Sequence, residues 1–127
     1  MQLATGIDLL EINRLRDAIA THGERFLQRV FTPRELEANA QKVESLAGRF
    51  AAKEACTKLF PREAALGAVG PADFSVSRDG YGAPAVELSE SAQIALGRNR
   101  LRSISLSLTH DRAQASAVAL AQPDRAT

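Results

Sequence analysis

Tryptophan is absent from the 127-residue sequence, and tyrosine and cysteine each occur once. A lone Cys56 excludes an intrachain disulfide and an all-cysteine metal site, and it suits a reducing compartment. No apolar run approaches the roughly 18 residues that a membrane span needs. The start MQLATGIDLL has neither the basic n-region nor the apolar stretch of a secretory leader, so a cytoplasmic protein with no membrane partner is expected. Charge of one sign is also scarce: 16 basic residues against 15 acidic ones leave +1, which gives nucleic acid little to hold by bulk attraction. Walker loop, HExxH, GxSxG and the dinucleotide glycine fingerprint are all missing.

What remains is ordinary for one globular domain, with 45% hydrophobic and 24% charged residues. Thirteen of the basic residues are arginine and three are lysine, a bias that fits bidentate contacts to carboxylate or phosphate and equally a GC-rich genome.

Residues 2–8 read as a buried first strand ending at Asp8. From Glu11 the apolar positions Ile12, Leu15 and Ile19 step at helical spacing as far as Gly23, and a second short helix carries Phe26, Leu27 and Val30. Thr32-Pro33-Arg34-Glu35 is a capping box that opens a helix to about Lys42. The stretch Ser45–Phe60 predicts a helix stopped by Pro61, with Gly48, Ala51, Ala52, Ala55, Cys56 and Leu59 on a close-packing side. Its other half, carrying Arg49, Lys53, Glu54, Thr57 and Lys58, reads as surface. A loop from Pro61 to Pro71 leads to a hairpin, Phe74–Ser77 and Pro84–Leu88 around Asp79-Gly80-Tyr81-Gly82. Residues 89–98 predict a helix. Two alternating strands follow, with Ser103, Ser105, Ser107 and Thr109 opposite Ile104, Leu106 and Leu108, and with Ala113, Ala115, Ala117, Ala119 and Ala121 facing one way. This order argues a single small α+β domain over 1–121 with a frayed tail over 122–127.

Few side chains are chemically suggestive. Asp8 at a strand end suits an oxygen-loving cation such as Mg²⁺, although taken alone it reads first as a helix-capping or first-turn acid, which is also the reading for Glu11. Glu54 between Lys53 and Lys58 fits a metal ligand beside phosphate-binding ammonium groups, although in isolation it reads first as an i,i+4 surface pair. His110 adjoins Asp111 at a strand end, where a carboxylate orients an imidazole next to a ligand phosphate; an exposed structural histidine is the alternative. His22 and Cys56 suggest no function.

Together, Gly6-Ile7-Asp8-Leu9-Leu10-Glu11-Ile12-x-Arg14, Arg29-Val30-Phe31-Thr32-x-x-Glu35, Leu46-Ala47-Gly48-Arg49-Phe50-Ala51-Ala52-Lys53-Glu54-Ala55 and Ser107-Leu108-Thr109-His110-Asp111 resemble holo-acyl-carrier-protein synthase, of the 4′-phosphopantetheinyl transferases. The resemblance implies transfer of the phosphopantetheine arm of coenzyme A to a serine of an apo acyl carrier protein, releasing adenosine 3′,5′-bisphosphate. It implies Mg²⁺ held by Asp8 and Glu54, with the serine proton passing to Glu54 or to a water on the metal. Lys58 would steady the pyrophosphate, and Lys53 would do the same or hold Glu54. His110 would contact the coenzyme, while Asp111 would bind metal or orient His110. Arg14 would meet the acidic helix of the carrier. It further implies a homotrimer with the coenzyme in the cleft between protomers, and the alanine face from Ala113 to Ala121 fits either such an interface or the underside of a helix. One departure stands out: Pro61-Arg62-Glu63 replaces a Gly-rich turn, so that either Arg62 takes over as a phosphate contact or the coenzyme is held differently. A non-catalytic trimeric carrier-binding module of the same fold is the alternative function.

Overall fold

The computed structural model describes residues 2–39 and 42–125. Strand β1 (Ala4–Glu11) begins the chain and alternates an inward set, Gly6, Asp8 and Leu10, with an outward set, Thr5, Ile7 and Leu9. Helix α1 (Ile12–Val30) contains both expected helices, joined across a kink where Gly23 takes φ 57° and ψ −137°, left-handed backbone that glycine adopts without a steric penalty. The capping box forms at the start of α2 (Pro33–Asn39): the Thr32 amide donates to Glu35 Oε1 at 2.9 Å and the Glu35 amide to Thr32 Oγ1 at 3.3 Å. The continuation of this helix to Lys42 is not found, because α2 ends at Asn39; residues 40 and 41 lie outside the described residues.

Helix α3 (Val43–Thr57) is followed by α4 (Pro61–Ala65), a 3₁₀ turn (Pro71–Asp73), β2 (Phe74–Arg78), β3 (Pro84–Leu88), α5 (Glu90–Arg98), β4 (Leu101–His110) and β5 (Gln114–Pro123). Pro61 does not stop α3, which has already ended at Thr57, but starts α4 at a position where its missing N–H costs nothing. The last strand also outruns the expected domain end: Gln122 and Pro123 extend β5, pairing with Ser103 and Leu101. Of the tail, residues 126 and 127 lie outside the described residues.

The strands form an antiparallel sheet of order β1-β5-β4 and a separate β2-β3 hairpin, which gives the expected α+β architecture. The alanine stripe is decided in favour of a helix: Ala115, Ala117, Ala119 and Ala121 are at most 2% exposed, and β5 packs against α3, whose Ala51, Ala52 and Ala55 are fully buried. Ala113 precedes the strand and is exposed. Small residues on both surfaces let helix and sheet approach closely, and α3 crosses the sheet diagonally, with Gly48 against Leu108 of β4 and Ala55 against Gly6 of β1. The opposite face of the sheet is open and displays Ile7 (65% exposed), Leu9 (62%) and Val118 (40%).

Candidate active site

The crossing of α3 over β1 brings an acidic strand residue to a helix end. Gly6 makes this possible, because a Cβ there would sit 2.1 Å from the Ala55 carbonyl oxygen and 3.1 Å from Lys58 Cβ. Two residues on, with the same facing, comes Asp8. Lys58, just past the end of α3, donates its Nζ to the Ile7 carbonyl at 2.8 Å and to Asp8 Oδ1 at 3.2 Å. Glu54, one turn earlier on α3, is half-buried. Burial raises its carboxyl above the ordinary value, and the negative charge of Asp8 raises it further, against an opposing pull from Lys58. Asp8, Glu54 and Lys58, far apart in sequence, thus meet at one point of the surface.

Two carboxylates that repel each other across a partly desolvated gap are a good fit for a hard divalent cation. Among the described residues no cluster of three or more histidine, cysteine, aspartate or glutamate side chains forms a complete ligand cage. One or two carboxylates are what Mg²⁺ commonly takes from a protein, leaving its other positions to water and substrate phosphates.

Other sequence candidates stand elsewhere. Lys53 is not on the surface beside phosphate: it is fully buried, its Nζ donating to Glu35 Oε1 at 2.5 Å and to the Phe74 carbonyl at 2.7 Å. Arg49, expected on the same exposed half, is 9% exposed. The sequence periodicity misassigns this half because α1, α2 and β2 cover α3 on the side away from the sheet. His110 lies on the same face of the sheet as Asp8 but two strands away, opposite Ala115, whose other neighbour is Leu10. With about 4.8 Å per strand interval and an offset of two residues along the strands, it is roughly 12 Å from Asp8, Cα to Cα. It lines a separate shallow cavity of about 200 Å³ with Leu9, Thr109 and Gln114. Asp111 is exposed and serves its own turn, its Oδ1 accepting from the amides of Ala113 and Gln114, both at 2.8 Å. These amides hold its carboxyl below the ordinary value.

Arg62 is in the first turn of α4 and borders a cavity of about 420 Å³ with Arg98 and Asn99. The Pro61-Arg62-Glu63 departure is therefore a helix start, fastened by Asn99 Nδ2 donating to Glu63 Oε2 at 2.7 Å. Arg14 is exposed on α1, which also presents Arg25 and Arg29. The residue that sequence reasoning left out is Glu35: its capping-box signal was legible, but its bond to Lys53, 18 positions away, was not.

The model of the 4′-phosphopantetheinyl transferase superfamily matches residues 4–121. Among curated proteins, the holo-[acyl-carrier-protein] synthase of Wolinella succinogenes is 41% identical over 122 residues, covering 95% of this chain and 98% of its own. That of Koribacter versatilis is 39% identical over 123 residues, covering 93% and 98%. Among solved structures, the holo-[acyl-carrier-protein] synthase of Neisseria meningitidis superposes with a TM-score of 0.83 at 28% identity, covering 94% of this chain and 97% of that one. The Helicobacter pylori enzyme in complex with coenzyme A gives 0.77 at 29% identity, covering 93% and 99%.

Proposed function

The chain belongs to the 4′-phosphopantetheinyl transferase superfamily, as a holo-[acyl-carrier-protein] synthase, and from that premise we propose that it moves phosphopantetheine from coenzyme A to a serine of an apo acyl carrier protein in a Mg²⁺-dependent reaction. The observation that carries the reading is the convergence of Asp8, Glu54 and Lys58 at the β1–α3 crossing.

Asp8 and Glu54 would hold the cation, which when bound neutralises charge on the coenzyme pyrophosphate. The Lys58 ammonium, 53% exposed, turns from Asp8 to a phosphate oxygen as the ligand arrives. Glu54, beside the cation site, takes the proton of the carrier serine as the serine oxygen attacks the phosphorus bearing the pantetheine arm. The bond from that phosphorus to the bridging oxygen breaks, and adenosine 3′,5′-bisphosphate leaves. Arg14 receives carrier carboxylates on the outer side of α1 and sets encounter rate rather than chemistry. Arg62 and His110 contact the coenzyme away from the reacting phosphorus. Because His110 is two strands from Asp8, a single protomer does not gather the full set around one pyrophosphate, and a homotrimer with sites between protomers would. The apolar outer face formed by Ile7, Leu9 and Val118 supports such an assembly.

Intact-mass spectrometry of an apo acyl carrier protein incubated with the protein and coenzyme A tests the reading. One added phosphopantetheine with Mg²⁺, none with chelator, and at least about a 100-fold slower gain for Asp8→Ala are expected. Equal modification in chelator, or full turnover in Asp8→Ala, would refute it.

A further inference from the structure

A fully buried lysine is uncommon, and the chemistry of the proposed function does not use this one. Lys53 donates to Glu35 Oε1 and to the Phe74 carbonyl, and lies 5.8 Å from the centre of the Phe31 ring. Glu35 Oε1 also accepts the Thr32 amide at 2.9 Å, Glu35 Oε2 accepts the Val76 amide at 2.8 Å, and the Glu35 carbonyl accepts Asn39 Nδ2 at 2.8 Å. One ion pair therefore ties α3 to the start of α2 and to β2, and both bonds of the Lys53 ammonium are made inside the core.

Stability alone is a poor account of it, since desolvating two charges offsets most of their attraction and apolar replacements of similar volume often match or exceed such pairs. The surroundings suggest another use. Against the sheet α3 presents Gly48, Ala51, Ala52 and Ala55, and β5 answers with Ala115, Ala117, Ala119 and Ala121. Alanine against alanine packs closely but is smooth; short methyl groups interlock little and give weak resistance to a turn of the helix about its own axis or a slide along it. Lys53, a long side chain anchored to two other elements, supplies that resistance, and the very next residue is Glu54.

We propose that the Glu35–Lys53 pair is a positioning device that fixes the rotation of α3 and so aims Glu54 at Asp8. The proposal rests on the functional reading above. Two variants separate aim from stability. Glu35→Gln keeps a hydrogen-bond acceptor for Lys53 but sets an amide donor against the Val76 N–H and leaves the lysine charge buried and uncompensated, so it lowers the melting temperature while kcat stays within about threefold of wild type. Adding Lys53→Met removes the buried charge together with the tether: melting temperature recovers at least halfway, yet kcat falls about 10- to 100-fold, the effect usual when a group orienting a metal ligand is lost. The KM for the carrier stays within about threefold.

A readout independent of turnover is Mn²⁺ binding in the presence of coenzyme A, followed by electron paramagnetic resonance. It weakens about 10-fold or more in the double variant and stays within threefold in Glu35→Gln. Activity that tracks melting temperature across the two variants, a double variant with wild-type kcat and Mn²⁺ affinity, or one that does not fold would each overturn the proposal. Failure of the wild-type protein to bind Mn²⁺ would instead remove the functional reading on which it stands.

Discussion

Substituting Gly6 by alanine isolates the geometry on which the site depends. The added Cβ would stand 2.1 Å from the Ala55 carbonyl oxygen, about 0.9 Å short of the 3.0 Å below which real Cβ contacts essentially never occur. The obstructing atom belongs to the backbone of α3, so no side-chain rotamer relieves the clash; strand and helix must separate. Overpacking in a core costs about 1–3 kcal/mol and occasionally more, and with backbone against backbone the upper end, about 3 kcal/mol, applies. At this chain length, roughly 3–5 °C per kcal/mol corresponds to a melting temperature lowered by about 10–15 °C. A displacement near 1 Å between β1, which carries Asp8, and α3, which carries Glu54, lowers turnover by about 100-fold. Scanning calorimetry and the carrier-modification assay, run at a temperature where the variant is folded, measure the two effects. Gly97→Ala is the internal control. It lies in the last turn of α5, where a Cβ meets nothing within 4 Å, so it stabilises by about 0.5–1 kcal/mol and leaves turnover unchanged. A Gly6→Ala protein melting within 2 °C of wild type and turning over within twofold would refute the close-approach argument.

Glu54 gives a pH signature in chelator. Its folded carboxyl is raised by burial and by Asp8, so the folded protein holds a proton over a window, opening upward from the ordinary carboxylate range, in which the unfolded chain has released it. Stability from this group is present below that window and is lost as pH rises through it; metal-free Glu54→Gln should therefore melt above wild type at about pH 7 and close to it at about pH 3. Calorimetry across this range checks it, and a variant no more stable than wild type at neutral pH contradicts it. For the outer sheet face, Ile7→Asp should convert a trimer in sedimentation velocity to a 13.6 kDa monomer and cost at least about 10-fold in turnover. Wild-type protein already sedimenting as a monomer would remove the proposed assembly.

The sequence by itself determined the local elements whose causes are local. Thr32 and Glu35 cap each other across three residues, Gly23 breaks a helical repeat, the Asp79–Gly82 stretch turns a hairpin, and the period-2 patterns from Ser103 to Ala121 pair as β4 and β5. The motif spacing also carried the candidate residues Asp8, Glu54 and Lys58. Which face of α3 meets solvent was beyond a one-dimensional pattern, because a helix covered on both sides shows small residues toward the sheet and charged ones toward other core elements. Lys53 and Arg49 look like surface for that reason, and only the tertiary structure places Glu35 and Phe74 around the ammonium. The fold likewise decided that Asp8 and Glu54, 46 positions apart, share one field, while His110 remains two strands away. Long-range proximity depends on how α3 crosses the sheet, and its close approach to β1 depends on Gly6 lacking a side chain where it meets the Ala55 carbonyl.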